Sequence, residues 1–194
     1  MKTDRTVGES EVNRLTEKQF DNAVDRILDG DRSGLRDIYE EYGKMIFGTV
    51  MSVVKSPHDA EDITSDFFIR LWSIADTYVG GHGHRRWLAA IARNMAIDHL
   101  RRKKRETVAD EDGCFEETPS DEHLEDSVTD RLTVTAAVEA LEETEREIIN
   151  LKFISQLTFS EISKIMKKPL GTVTWKYRKA LEKLRRCIPD EKFV

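Results

Sequence analysis

Four carboxylates, Asp59, Glu61, Asp62 and Asp66, fall close together, and a His-x-His pair, His82 and His84, follows them. Such residues hold divalent cations in metal-dependent nucleases, where paired ions clamp the attacking and leaving oxygens of a phosphodiester. The spacing argues against that chemistry. At about 100° per residue on a helix the carboxylates point to different sides and do not converge on one pair of ions. The histidines lack a third and fourth ligand at a recognisable spacing, so no zinc site is expected. Neither a two-metal nuclease centre nor a zinc site is therefore expected from these residues. The chain's two cysteines, Cys114 and Cys187, are far apart and form no C-x-x-C motif, so reduced thiols are expected.

The cationic residues say more. From Arg85 to Arg105 there are eight Lys or Arg against one Asp. On a helix, Arg86, Arg93, Ile97, Arg101 and Lys104 share one side, and Trp87, Leu88, Ile91, Ala92 and Met95 share another. A stripe of one sign backed by an apolar face is an electrostatic footprint for phosphates, which bind with release of counterions. The loop before it, Tyr78-Val-Gly-Gly-His-Gly-His84, has three glycines that let the backbone approach a ligand closely. Tyr78, His82 and His84 are candidates to stack on an unpaired base.

A second cationic stretch, Lys164 to Arg186, holds nine basic residues and one Glu. Thr144-Glu-Arg-Glu147 and Thr158-Phe-Ser-Glu161 both have capping-box spacing, and each is expected to start a helix. After Thr158, Ile162, Ile165 and Met166 face inward, Lys167-Lys-Pro-Leu-Gly171 breaks the helix, and a further helix runs to about Arg186. This predicts a tight helix-turn-helix. In the last helix Val173, Tyr177, Ala180 and Leu184 repeat at core spacing, leaving Thr172, Thr174, Trp175, Lys176, Lys179 and Lys183 outward. Recognition helices present their N-terminal part to the major groove, so Thr174, Trp175, Lys176 and Lys179 are candidates for base edges and nearby phosphates.

The elements that position these residues follow from periodicity and charge. With 194 residues, 39% hydrophobic and 35% charged, the chain suits two small helical domains better than one large globule. Apolar residues recur at three and four throughout Lys18 to Arg105, which predicts an all-α domain over 18–105 after an N-terminal extension, 1–17. Within it Ala60, Ile63, Phe67, Leu71 and Ile74 form a core stripe, while Glu61, Ser65, Phe68 and Trp72 share the opposite arc. Two large aromatics on an outer arc read either as a docking face for a partner helix, rimmed by Asp62, Asp66 and Arg70, or as a face covered by another helix of the same domain.

The formal net charge of −6 is unevenly distributed. Residues 106–130 contain eleven acidic residues and no basic one, leaving 26 acidic against 31 basic residues elsewhere. That stretch, with Gly113 and Pro119, reads as a flexible linker over 106–131, either a solvated spacer or an anionic strap that screens the cationic faces. The second domain is expected at 132–194. No apolar run reaches the roughly 18 to 20 residues needed to cross a bilayer, and the N-terminus lacks a signal-peptide core, so a cytoplasmic protein is expected.

Asp59-Ala-Glu-Asp-Ile-Thr-Ser-Asp-Phe-Phe-Ile-Arg-Leu-Trp72 and Trp87-Leu-Ala-Ala-Ile-Ala-Arg-Asn-Met-Ala-Ile-Asp-His-Leu-Arg101 together resemble region 2 of the extracytoplasmic-function sigma factors, the smallest members of the sigma-70 family. Leu170-Gly-Thr-Val173 and Arg178-Lys-Ala-Leu181 resemble the second half of region 4. The resemblance covers about 20–105 and 132–188. It implies that the first domain docks on the clamp-helix coiled coil of the RNA polymerase β′ subunit through Glu61, Asp62, Ser65, Asp66, Phe68, Ile69 and Trp72. It further implies that Tyr78, His82, His84, Arg85, Arg86, Arg93, Asn94, Ile97 and Arg101 read and open a −10-type promoter element. Thr172, Thr174, Trp175, Lys176, Arg178 and Lys179 would read a −35-type element. An anti-sigma factor is a further implied partner. Ser65-Asp66 stand where the family often has Gln-Glu, and Trp175-Lys176 where it commonly has Ser and Arg. A stand-alone helix-turn-helix regulator is the alternative, with the first domain as a sensor or dimer module.

Overall fold

A computed structural model of the chain describes residues 15–81, 83–109 and 136–187, with the side chains of 107–109 left aside. The helix from His84 to Ala109 carries the chain through 106–109, the first residues of the stretch expected as linker, while the rest of the acidic linker, Cys114, His82 and both chain ends lie outside the described residues. The described part is all-α.

Helix α1, Glu17–Leu28, starts at a capping box in which Thr16 accepts from the Gln19 amide and the Gln19 side chain accepts from the Thr16 amide. It buries Phe20, Ala23, Val24 and Ile27, a three-and-four spacing that lays one stripe on the core. Helix α2, Arg32–Val54, begins at Asp31, whose carboxylate accepts from the Ser33 amide. Gly34 lets α2 cross α1 closely, since a Cβ there would lie 2.2 Å from the Ala23 carbonyl oxygen. Helix α3, Pro57–Ile74, has Ser56 as its cap and proline at its first position, where a missing N–H costs nothing. After a 3₁₀ turn, Ala75–Thr77, and the glycine loop, α4 runs from His84 to Ala109.

These four helices share one core of Phe20, Ile38, Tyr42, Ile46, Val50, Phe67, Leu71 and Leu88, each essentially inaccessible. Each large side chain so buried contributes about 1.5 to 3 kcal/mol. Asp59 ties the start of α3 to α4 through Lys103, at 3.0 Å.

The second unit has a helical turn at 136–139, then α5 (Glu143–Phe153), α6 (Phe159–Met166) and α7 (Leu170–Cys187). The Thr158 capping box forms as expected, with Thr158 and Glu161 bonded reciprocally. The expected start at Thr144 is corrected. Helix α5 is capped two residues earlier by Glu142, which pairs with Glu145 in its own capping box, and Glu147 is thereby free to leave the local turn. Lys167 takes the left-handed conformation that ends α6, giving the tight turn into α7.

The two units pack together. Helix α5 lies along the C-terminal half of α2: Asn150 Nδ2 donates to the Gly48 carbonyl at 2.9 Å and Arg146 Nε to the Ser52 carbonyl at 2.8 Å. Thr49 and Ser155 hydroxyls stand 3.2 Å apart, both buried. Ala89 of α4 is fully buried in a cluster with Ile148, Leu151, Leu157, Ile162, Met166 and Val173.

Candidate nucleic-acid and protein interfaces

On the outer side of α3, Glu61, Asp62, Ser65 and Asp66 are exposed, as are Ile69 (72%) and Trp72 (36%). Phe68 differs from the expectation. It is only 7% exposed because Tyr39 of α2 covers it edge-on, 4.9 Å between ring centroids, while Phe67 flanks it at 5.1 Å. The outer aromatic is instead Tyr39, 56% exposed. Tyr39, Gly43 and Phe47, each four residues apart, line a groove between α2 and α3 opposite Glu61, Thr64 and Ser65. This half of the face was missed in the sequence. Its signal was the spacing of Tyr39, Gly43 and Phe47 outside the Ile38, Tyr42, Met45 and Ile46 core stripe.

The loop and α4 divide the remaining candidates between core and surface. His84 is not available to stack on a base. It is 8% exposed, stacked on Phe20 at 4.6 Å, and its Nε2 shares a hydrogen bond with the Tyr42 hydroxyl at 2.7 Å. Burial holds the His84 imidazole below its ordinary range and pushes the Tyr42 phenol up to about 12. Tyr78 is half-buried between Phe20 and Trp87, and its hydroxyl donates to Asp21 at 3.0 Å; burial, then that carboxylate, raises its pKa. Gly81 and Gly83 adopt the left-handed region, φ +77° and +80°, so the loop needs glycine there. Asn94 and Arg101 are exposed, and Arg85, Arg86 and Ile97 are half-buried.

Arg93 is set against the second unit. Its Nε donates to Glu147 Oε2 at 2.6 Å, and the two side chains are only 14% and 6% exposed. Burial raises the Glu147 carboxyl above the usual range despite the guanidinium beside it. The desolvation cost therefore outweighs the attraction, as is common for buried pairs.

In α7, Val173, Ala180 and Leu184 are buried and Tyr177 packs beside them, as the spacing predicts. Trp175 is 57% exposed, with the Lys179 ammonium 5.2 Å from its ring centroid. Arg178 is exposed and Thr172 partly so. Thr174 spends its hydroxyl on the Leu170 and Gly171 carbonyls. Lys176, expected outward, is tied to Glu142 at 2.8 Å with its side chain 16% exposed. The outward face of the early helix is therefore Thr172, Trp175, Arg178 and Lys179.

Residues 38–106 match the family model for Sigma-70 region 2, and residues 137–186 match that for Sigma-70 region 4, in that order. The chain belongs to the sigma-70 family. It is an RNA polymerase sigma factor of the extracytoplasmic-function group. It is 28% identical over 185 residues to the ECF RNA polymerase sigma factor SigW of Bacillus subtilis, covering 90% of this chain and 99% of that one. It is 22% identical to the ECF RNA polymerase sigma factor SigK of Mycolicibacterium vanbaalenii, covering 90% of this chain and 91% of that one. Its fold is shared by the sigma factor RpoE from Bartonella quintana, solved in complex with the anti-sigma factor NepR: TM-score 0.67, 22% identity, 80% of this chain and 96% of that one. A stand-alone regulator does not account for region 2 and region 4 together. No described helix of this sigma factor is long and apolar enough to cross a membrane.

Proposed function

We propose that this sigma factor docks on the β′ clamp-helix coiled coil of core RNA polymerase through Tyr39, Glu61, Asp62, Ser65, Asp66, Ile69 and Trp72, with Phe68 as the buried support beneath Tyr39. Ile69 and Trp72, uncovered beside the groove of Tyr39 and Phe47, carry this reading. Aromatic anchors with a polar rim suit a partner helix pair. The α4 residues Arg86, Arg93, Asn94, Ile97 and Arg101, with Tyr78, His82 and Arg85 at the loop, hold the strand opened at a −10-type element. Their contribution is cationic contact and stacking, about 1 to 3 kcal/mol per stacked base. Thr172, Trp175, Arg178 and Lys179 read a −35-type element from the major groove.

The work is done by binding energy, without a bond change or cofactor, in the cytoplasm with core polymerase. An anti-sigma factor covering these same faces is the partner that restrains it. The domain limits that go with this reading are 18–105 for the polymerase-binding unit, 106–131 for the linker and 132–194 for the −35-type reader. Retention on immobilised core polymerase, followed by mapping of the transcripts it starts, tests the whole proposal. A chain that neither binds core polymerase nor directs new start sites refutes it.

A further inference from the structure

We propose that Asp21 of α1 selects the unpaired base held at the loop before α4, through a hydrogen bond from the exocyclic amine that adenine, cytosine and guanine carry and thymine lacks. The inference rests on the −10-type reading above and names what that loop discriminates.

The loop is anchored on α1. Glu17, Phe20 and Asp21 lie three and four residues apart and so share one side of that helix. Phe20 holds both ends of the loop, edge-on to Tyr78 at 5.1 Å between ring centroids and stacked on His84 at 4.6 Å. Glu17 Oε1 accepts from the Gly83 amide at 3.2 Å. Asp21 Oδ1 accepts from the Tyr78 hydroxyl at 3.0 Å, which fixes the carboxylate beside the loop. Its Oδ2 accepts no hydrogen bond among the described residues. One acceptor atom is therefore left over at the place where a base is to be held.

Gly80 keeps that atom within reach. Unlike Gly81 and Gly83 it has no positive φ. A Cβ there would clash with nothing, since its nearest neighbours would be the two Asp21 carboxylate oxygens, at 3.5 and 3.6 Å. Neither backbone strain nor lack of space requires glycine at this position. A side chain would instead cover the carboxylate. Val79, 65% exposed, adds an apolar surface next to it.

The acceptor decides the ligand. A carboxylate repels the phosphates that the α4 cations attract, so the part of a strand that suits it is a donor on a base edge. An ionised carboxylate only accepts, and an exocyclic amine is its natural partner. Thymine offers one ring N–H, set between two carbonyl oxygens that a carboxylate repels. An amine-bearing base is favoured there and thymine is turned away.

The test scans the non-template −10-type strand, taken from the mapped start sites, as a single-stranded oligonucleotide bound by the holoenzyme. Each adenine, cytosine and guanine is replaced in turn by purine, 2-pyrimidinone or hypoxanthine, which lack only the amine. The expected result is one position at which the amine-free base weakens wild-type binding by about tenfold. At that position the loss should shrink to within about twofold in Asp21→Ala. Gly80→Ala, whose methyl fits over the carboxylate, should also shrink the loss, and it decides the matter if Asp21→Ala does not fold. If Asp21 merely braces the loop, its removal lowers binding to every oligonucleotide alike and leaves the tenfold loss intact. That result overturns the proposal, as does a wild-type scan in which no amine matters although ordinary base changes do. A wild-type holoenzyme indifferent to every base change refutes the −10-type reading itself.

Discussion

The ring of Tyr39 on α2 stands edge-on over Phe68 on α3, so the exposed aromatic surface of the proposed docking groove is contributed by two helices. The buried ring supports the fold, and in the proposed docking the exposed one meets the partner. The two roles separate experimentally.

Tyr39→Ala and Trp72→Ala should each weaken retention on core polymerase by about tenfold or more, the cost of removing a central aromatic anchor. Trp72→Ala should leave the unfolding free energy within about 0.5 kcal/mol of wild type. Phe68→Ala should cost about 3 to 5 kcal/mol of stability. Urea titrations beside binding isotherms check this, and a Trp72 variant that unfolds without losing affinity would contradict it.

Stability should fall on mild acidification because of His84. Burial keeps its folded-state pKa below the ordinary 6.5, so the unfolded chain takes up a proton that the folded chain resists. This contribution is complete above the ordinary histidine range and is lost as pH drops through 6.5. The groups facing the ring are the Tyr42 hydroxyl and Phe20, with Glu17, Asp21 and Arg85 nearby. His84→Gln keeps a polar partner for Tyr42 and cannot titrate. Melting temperatures measured across that range should slope less for the variant; equal slopes would move the effect elsewhere.

The two capping-box patterns in the C-terminal unit make opposite predictions. Thr158→Ala should cost about 1 kcal/mol, since Thr158 accepts from the Glu161 amide at the start of α6. Thr144→Ala should change stability by less than about 0.5 kcal/mol, because Glu142 is the cap of α5. Denaturant midpoints for the two variants decide between them.

Trp175 should set specificity at the −35-type element through apolar contact with thymine methyl groups in the major groove. Replacing thymines of that element one at a time by uracil removes only the methyl. At least one replacement should weaken holoenzyme binding by about tenfold in the wild type and have no effect on Trp175→Ala. A uracil scan that is flat in both excludes the methyl contact.

Both helical units and the turn into α7 were legible in the sequence, because core spacing and the Thr158 cap are local properties. The outer arc of α3 was legible too, but only as an arc. Periodicity places Phe68 on a side of one helix and says nothing of Tyr39 arriving from another. His84 was misjudged for a similar reason: its position in a glycine-rich loop suggested access, whereas Phe20, 64 residues earlier, stacks on it and closes that access. Glu147 was read as a local cap and is instead the partner of Arg93. In each case the deciding contact joins residues distant in the chain, which a pattern of near neighbours does not encode.

The basic residues of the C-terminal unit are partly spent at home. Lys176 and Lys183 are bound to Glu142 and Glu145, and Lys179 stands 3.8 Å from the fully buried Glu145. Six of the nine cations between Lys164 and Arg186 are left without such an acid among the described residues. The grip of this unit on a duplex should therefore decay with added potassium chloride as that of a moderate polycation, more gently than its formal charge suggests.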